Sequence, residues 1–224
     1  MPEPKRHIEE EMAETTEKTI QELPEEHYLV TNIGGLYIEV FVLIDKSKVV
    51  SSYAKTAVLA MAARNFRLLQ CANHSIYDGF YDTSMILLRT VCENNLLMKY
   101  LTDNEQEAIA WLKGKRFKPS FLRRKVKDMT HIYGFLSNSH AHANVESLFS
   151  TNVSTFANKT LNLKYFPEFD IKQAKICFNT YIIFAWLSLI FLQYAFRDLL
   201  WKNEEWKNRI ADWNKIVLDY IERK

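Results

Sequence analysis

The sequence predicts an all-α protein, a bundle of about five to seven helices in one domain, and three observations carry that prediction. Only five glycines and five prolines punctuate 224 residues. Sandwiches need turn residues every ~8–12 positions and dinucleotide folds need glycine-rich βα turns, so both are disfavoured. Apolar residues make up 48% of the chain, enough buried surface to offset chain entropy and to exclude disorder over most of its length. Finally, apolar residues recur at helical spacings of three, four and seven over most of the chain.

Residues 1–26 are expected to form an acidic helix or arm ended by Pro24, with Ile8, Met12, Ile20 and Leu23 as a thin apolar stripe, and residues 27–224 the single bundle domain. Residues 28–46, rich in Val, Ile, Tyr and Phe around Gly34 and Gly35, fit a helix or a hairpin by pattern; helix is the expectation. From Val49 to Asn73, the positions Val50, Ala54, Ala57, Met61, Leu68 and Ala72 mark one face of an amphipathic helix. The chain turns over His74 to Gly79, and residues 80–101 form a second long helix. Asn104 to Gly114 is a shorter one whose last glycine suits a left-handed C-terminal cap. Pro119, favoured in a first helical turn, opens a third long helix with Leu122, Val126, Met129, Tyr133 and Leu136 on its core face. Residues 152–170 read as a long surface connection, extended around Leu161 to Pro167. Two helices finish the chain: an apolar one from Ile171 to Leu200, then an amphipathic one with Trp206, Ile210, Trp213, Val217 and Tyr220 on one face.

No charged side chain occurs in the 21 residues from Ile176 to Phe196, a run long enough to cross a bilayer. Asn179, Thr180, Ser188 and Gln193 interrupt it, and the amphipathic helices around it need a partner to cover them. A central helix buried on every side is therefore expected rather than a membrane span. Cys71, Cys92 and Cys177 lie in apolar stretches without CxxC spacing and read as buried, reduced thiols. The acidic N-terminus carries no apolar core of the kind a secretory signal needs, so the expected location is the cytoplasm.

Net charge is only +2, but residues 1–26 hold nine acids against three bases, a local charge of −6. The opposite pole is the run Lys113, Lys115, Arg116, Lys118, Arg123, Arg124, Lys125 and Lys127, with no acid before Asp128. Phe117 and Phe121 interleave with it and could stack on bases, which suits a nucleic-acid surface; a solvated helix face explains the charges equally simply. The acidic arm could dock on this run, in cis or from a second chain.

Two constellations could carry chemistry. Between Thr83 and Met98 the only charges are Arg89 and Glu93, four apart and so on one face with Ile86, Leu97 and Tyr100. On so apolar a helix the pair is either a core salt bridge or the wall of a polar cleft. Arg64, in the Met61–Leu68 stripe, is expected to point inward as a second cation. Further on, Tyr133, Ser137, His140 and Asn144 fall on one side if the helix continues, projecting four hydrogen-bonding groups suited to a phosphate or a sugar edge. A helix-ending turn at Ser137–Ser139, with its histidines in water, is the alternative. His140 and His142 diverge on a helix, and no CxxC or HExxH supplies more ligands, so no metal is expected. Without a GxSxG elbow, a Walker A loop or GxGxxG, serine hydrolase, P-loop NTPase and dinucleotide oxidoreductase chemistry lack their mechanical parts, and no cofactor is expected.

The pattern Tyr77-Asp-Gly79 followed by Arg89-Thr-Val-Cys-Glu93, then Tyr133-x-x-Leu136-Ser137-x-x-His140, resembles a group of helical bacterial proteins marked by Arg-Ser/Thr-x-x-Glu and Tyr-x-x-Leu-Ser-x-x-His. The resemblance spans roughly residues 50–200. By architecture these proteins are similar to the HEPN superfamily of helical bundles, which includes metal-independent ribonuclease toxins and nucleotide-binding proteins of bacterial defence. The resemblance implies an Arg–His pair acting on a phosphodiester, the Arg a fixed cation and the His a proton-transfer group near neutral pH. Arg124 and His131 have six residues between them as such a pair would, with Lys125 in place of the family's polar residue. The composite of Arg89, Glu93, Tyr133 and His140 departs from that motif.

The expectation is therefore a protein that binds RNA or a nucleotide-like, phosphate-containing ligand, with metal-independent endoribonuclease activity as its enzymatic form. Arg89 would bind the anion, Glu93 orient Arg89 and His140 transfer protons, with Arg64, Tyr133, Ser137, His142 and Asn144 around the ligand. A homo-oligomer is expected. The alternative is a non-catalytic dimerisation module pinned by Arg89 and Glu93, and the third reading a membrane-acting effector.

Overall fold

Proline, glycine and side-chain caps set the corners of the fold. The computed structural model describes residues 4–47, 52–127, 153–157, 160–163 and 168–223, with side chains described for 7–47, 52–127 and 168–223. Helix α1 (Pro4–Glu22) ends at buried Leu23, and Pro24 starts α2 (Pro24–Lys46), where its missing N–H leaves nothing unpaired. At the start of α3 (Tyr53–Tyr77) the Ser52 hydroxyl accepts the Lys55 N–H at 3.2 Å. The chain then reverses through Gly79, at φ +82°, into α4 (Tyr81–Thr102). A Cβ on Gly79 would sit 3.1 Å from both the Glu168 carbonyl and the Thr15 methyl, so the turn needs glycine for conformation and for space. Helix α5 (Glu105–Leu112) is followed by Gly114 at φ +97°, and α6 (Pro119–Lys125) again opens on proline.

Strands β1 (Val153–Ala157) and β2 (Thr160–Leu163) pair antiparallel from Val153 opposite Leu163 to Ala157 opposite Thr160, a hairpin where the sequence suggests only an extended connection. The Asp170 carboxylate caps α7 (Ile171–Ala195) by accepting the N–H groups of Lys172 and Gln173 at 2.9 and 3.1 Å. Phe196 interrupts the expected single helix, leaving the short α8 (Arg197–Leu200) before α9 (Glu204–Glu222), capped by Asn203. Among the described residues six helices of 19–25 residues thus build an all-α bundle, with α5, α6 and α8 as short links.

The core is the triple contact of α3, α4 and α7, covered on one side by α2 and α9. Helix α7 carries the apolar run, and two-thirds of its apolar window is buried within the bundle. By length and composition both α7 and α2 could cross a membrane; here α7 is the central helix that the neighbours' apolar faces require. Helix α9 lays Trp206, Trp213, Val217 and Tyr220 inward as expected, with Ile210 half-buried. Tyr28 stacks on Trp213 at 5.8 Å, and Arg209 reaches Glu39 at 2.7 Å.

A hydrogen-bonded knot joins the three central helices. Asn65 of α3 donates to Asn95 Oδ1 of α4 and to Ser188 Oγ of α7, both at 2.9 Å, and accepts from Asn94 Nδ2 at 2.7 Å. Asn95 in turn donates to the Phe184 carbonyl at 2.9 Å. Asn65, Asn95 and Ser188 are fully buried, and each finds the partners that burial demands.

Helix α1 is a packed element rather than a free arm, and its contact face differs from the expected one. Thr15 and Thr19 are buried against the bundle while Ile8 and Ile20 remain exposed. Small threonines allow close approach, and Thr16 Oγ1 donates to the Tyr77 carbonyl at 3.2 Å. Buried Glu26, which accepts from the Tyr220 hydroxyl at 3.1 Å, belongs to the bundle through α2. Cys92 and Cys177 are buried as expected, but Cys71 is exposed, because it lies on the outer face of α3 opposite Ala72.

Candidate functional site

Arg89 and Glu93 form the expected pair, Arg89 Nε to Glu93 Oε1 at 3.3 Å, but not in the core. Their side chains keep 24% and 32% of their exposure. Helix α4 buries Met85, Leu88, Val91, Cys92, Asn95, Leu96 and Met98, which leaves exposed Ile86 and half-buried Arg89, Glu93, Leu97 and Tyr100 on its other side. A partly solvated i,i+4 pair of this kind contributes at most about 1 kcal/mol.

Arg64 does not join them: it is exposed. Helix α3 touches both α4 and α7, which rotates its buried face toward Val58, Ala62, Asn65 and Leu69 and leaves Arg64 on the flank. The inward polar group is its neighbour Asn65. Tyr133, Ser137, His140, His142 and Asn144, with Met129, His131 and Leu136, lie outside the described residues.

The structure adds a site at the C-terminal end of α4 that the sequence reading only half located. Glu105 ties α5 to the start of α3, its two carboxylate oxygens accepting the N–H groups of Tyr53 and Ala54 at 2.8 and 3.1 Å. After Gly114 the chain returns, and α6 packs on α4 through buried Leu122 and Val126. Tyr100, Phe117 and Phe121 hold this corner: Tyr100 meets both phenylalanines edge-on at 5.6 Å, and the two phenylalanines stack at 6.0 Å. Lys115 lies 5.0 Å above Phe117 and Lys125 5.9 Å above Phe121. The ring faces are thus shared between each other and these lysines, so the rings fix cations in place as well as offering an aromatic surface.

Two depressions result. A hollow of about 350 Å³ between α4 and α6 is lined by Lys99, Tyr100, Asp103, Asn104, Lys125 and Lys127, with Val126 at its wall. A second depression of about 560 Å³ is lined by Ser120, Arg123, Arg124 and Lys127. Lys127 borders both, so the two are contiguous. Lys99 Nζ stands 3.8 Å from Asp103 Oδ2 and 5.0 Å above the Tyr194 ring, while Lys115 is drawn to Glu107 at 2.6 Å. The basic run announced the second depression. Lys99, Asp103 and Asn104 were missed because nothing in their spacing says that residues 119–127 fold back beside them.

The acidic helix does not screen this corner in cis. Helix α1 docks beside Tyr77 and Gly79, at the N-terminal end of α4, whereas α6 sits at Tyr100. Those ends of α4 are separated by roughly 30 Å of helix. Among the described residues no group of three or more His, Cys, Asp and Glu side chains could hold a metal ion.

No protein-family model, no curated protein and no solved structure matches this chain. The second of the two motifs that carry the resemblance, Tyr133 to His140, lies outside the described residues.

Proposed function

We propose that this protein binds single-stranded RNA through the α4–α6 corner. The observation that supports it is the pair of contiguous, cation-lined depressions that share Lys127 and are backed by three aromatic rings. Lysines and arginines along a groove follow a phosphate backbone, and Tyr100, which lines the hollow, offers a ring to an unpaired base.

Among the described residues five cations line the two depressions: Lys99, Arg123, Arg124, Lys125 and Lys127. If each meets a phosphate, the logarithm of affinity falls with the logarithm of salt at a slope of about −3.5, roughly a hundred-fold loss between 50 and 200 mM. The joint variant Arg123→Ala, Arg124→Ala is expected to lower the slope's magnitude by about 1.4. Anisotropy titrations of a labelled oligoribonucleotide measure both; affinity insensitive to salt and to these substitutions removes the proposal.

Cleavage is the enzymatic extension of this reading. Arg89 would hold the phosphate, Glu93 orient Arg89 and His140 move the proton, and the α4 face that carries Arg89 leads to Tyr100, about 16 Å along the axis. A toxin or defence role would follow from such cleavage. Arg89→Ala is expected to change stability by less than about 1 kcal/mol, since the pair is partly solvated, while abolishing metal-independent cleavage. A protein that melts earlier by several kcal/mol with RNA handling intact would instead make Arg89 and Glu93 a structural pin.

A further inference from the structure

We infer that the hollow between α4 and α6 takes the phosphorylated end of the RNA strand, a terminal phosphomonoester with its nucleoside, while internal phosphodiesters run on into the neighbouring groove. The inference rests on the RNA reading above and names what that site selects.

Charge is the first argument. Three lysines face one aspartate in the hollow, a net +2. A terminal phosphomonoester carries about −1.5 to −2 at neutral pH, with a second pKa near ~6, whereas an internal diester carries a single charge. The second argument is the kind of cation. Among the described residues the cations of the hollow are lysines, compact charges with rotatable donors that suit a three-oxygen group approached from several sides. The groove holds Arg123 and Arg124, whose planar forks suit the two free oxygens of a diester.

Pre-organisation is the third. Lys99 is placed by the Tyr194 ring and Asp103, and Lys125 by the Phe121 ring, so little side-chain freedom is lost when an anion arrives. Acceptors stand beside these donors. The Asp103 side chain is half exposed, and Asn104, whose Nδ2 donates to the Tyr100 carbonyl at 2.6 Å, has its amide oxygen on the side chain that lines the hollow. Both can accept from ribose hydroxyls, the groups that distinguish RNA from DNA. At about 350 Å³ the hollow falls at the lower end of the ~300–1,000 Å³ range of small-ligand sites, enough for one nucleotide. Lys127, common to both depressions, marks where the strand leaves the hollow for the groove.

The test titrates the full-length protein with one oligoribonucleotide sequence in three forms: 5′-phosphorylated, 3′-phosphorylated and hydroxyl at both ends. One phosphorylated form is expected to bind about ten-fold tighter than the hydroxyl form, the ratio given by one added charge-assisted hydrogen bond, and which one reports the strand's direction. The preference should shrink near pH 5.5, where the monoester is a monoanion. It should vanish in Lys99→Gln and Lys127→Gln, with folding checked by circular dichroism, yet persist at weaker overall affinity in Arg123→Ala, Arg124→Ala. Equal binding of all three forms overturns the end-recognition inference and leaves the RNA reading standing. Binding of adenosine monophosphate that depends on Lys99, with no oligonucleotide binding, supports the hollow and overturns the RNA reading. Binding of neither overturns both.

Discussion

Raising the pH to about 10.5 is expected to unfold this protein cooperatively. Burial pushes the Cys92 and Cys177 thiols from an ordinary 9.0 up to about 12; nearby Glu93 adds to the rise at Cys92 and Asp82 at Cys177. Burial likewise lifts Tyr81 from 10.0 to about 12 and raises Tyr37, Tyr181 and Tyr220, the last also held neutral by Glu26. These groups keep their protons in the fold and lose them in the unfolded chain. Their contribution to stability is therefore complete below the ordinary values and drains away as pH rises through and above them. Each group withdraws about 1.4 kcal/mol per pH unit beyond that point. By about pH 10.5 Cys92, Cys177, Tyr37 and Tyr181 together remove on the order of 6 kcal/mol, to which the less enclosed Tyr81 and Tyr220 add a smaller share, comparable with the whole stability of ~5–15 kcal/mol expected of a domain. A titration followed by helical circular dichroism should show the transition, with tyrosine ionisation appearing in step with it. Exposed Cys71 supplies an internal control, reacting with a thiol reagent in the native state while Cys92 and Cys177 wait for unfolding. A helical signal that survives to about pH 12 would contradict the argument.

Asn65→Leu should destabilise the fold by about 3–5 kcal/mol, the largest effect expected of a single substitution outside the apolar core. Leucine keeps the branched skeleton of asparagine and is bulkier, so no cavity forms. What is lost is the partner of Asn95 Oδ1 and one of the two partners of Ser188 Oγ, both at 2.9 Å in the wild type and both sealed from water; Ser188 keeps its bond to Met98 Sδ at 3.8 Å. A buried polar atom left without a partner costs about 1–3 kcal/mol. Asn94 lies at the half-buried edge and can turn to solvent, so it adds less. The triple variant Asn65→Leu, Asn95→Leu, Ser188→Ala removes the stranded groups along with their partners and should recover much of the loss. Chemical denaturation of the single and triple variants measures the difference. A single variant as stable as wild type would mean that the knot contributes nothing, and a triple variant no better than the single would assign the loss to packing instead.

The knot also shows where a sequence reading stops. Helical spacing around Met61 puts both Arg64 and Asn65 near the inner face of α3, and the apolar stripe through Ala57, Met61 and Leu68 favours Arg64. Which of them turns inward depends on how α3 divides its surface between α4 and α7, and that geometry has no local signature. The same holds for Arg89 and Glu93. Their shared face follows from four-residue spacing, but its partial exposure follows from which side of α4 the neighbours leave open.

Local chemistry, by contrast, was largely written in the chain. Pro24, Ser52, Gly79, Gly114, Pro119, Asp170 and Asn203 stand at helix ends because backbone groups there need a missing donor, a side-chain acceptor or a left-handed turn, and each need is met within a few residues. The apolar run of α7 demanded cover on every side, and the amphipathic helices had faces to give it. Long-range placement was not legible in this way. Lys99, Asp103 and Asn104 end one helix and Lys125 and Lys127 close another, and only the fold-back of α6 onto α4 puts them around one hollow. Spacing along a chain specifies a helix because its hydrogen bonds are local, whereas a binding surface depends on which helices pack together, a choice made by the burial of the whole core.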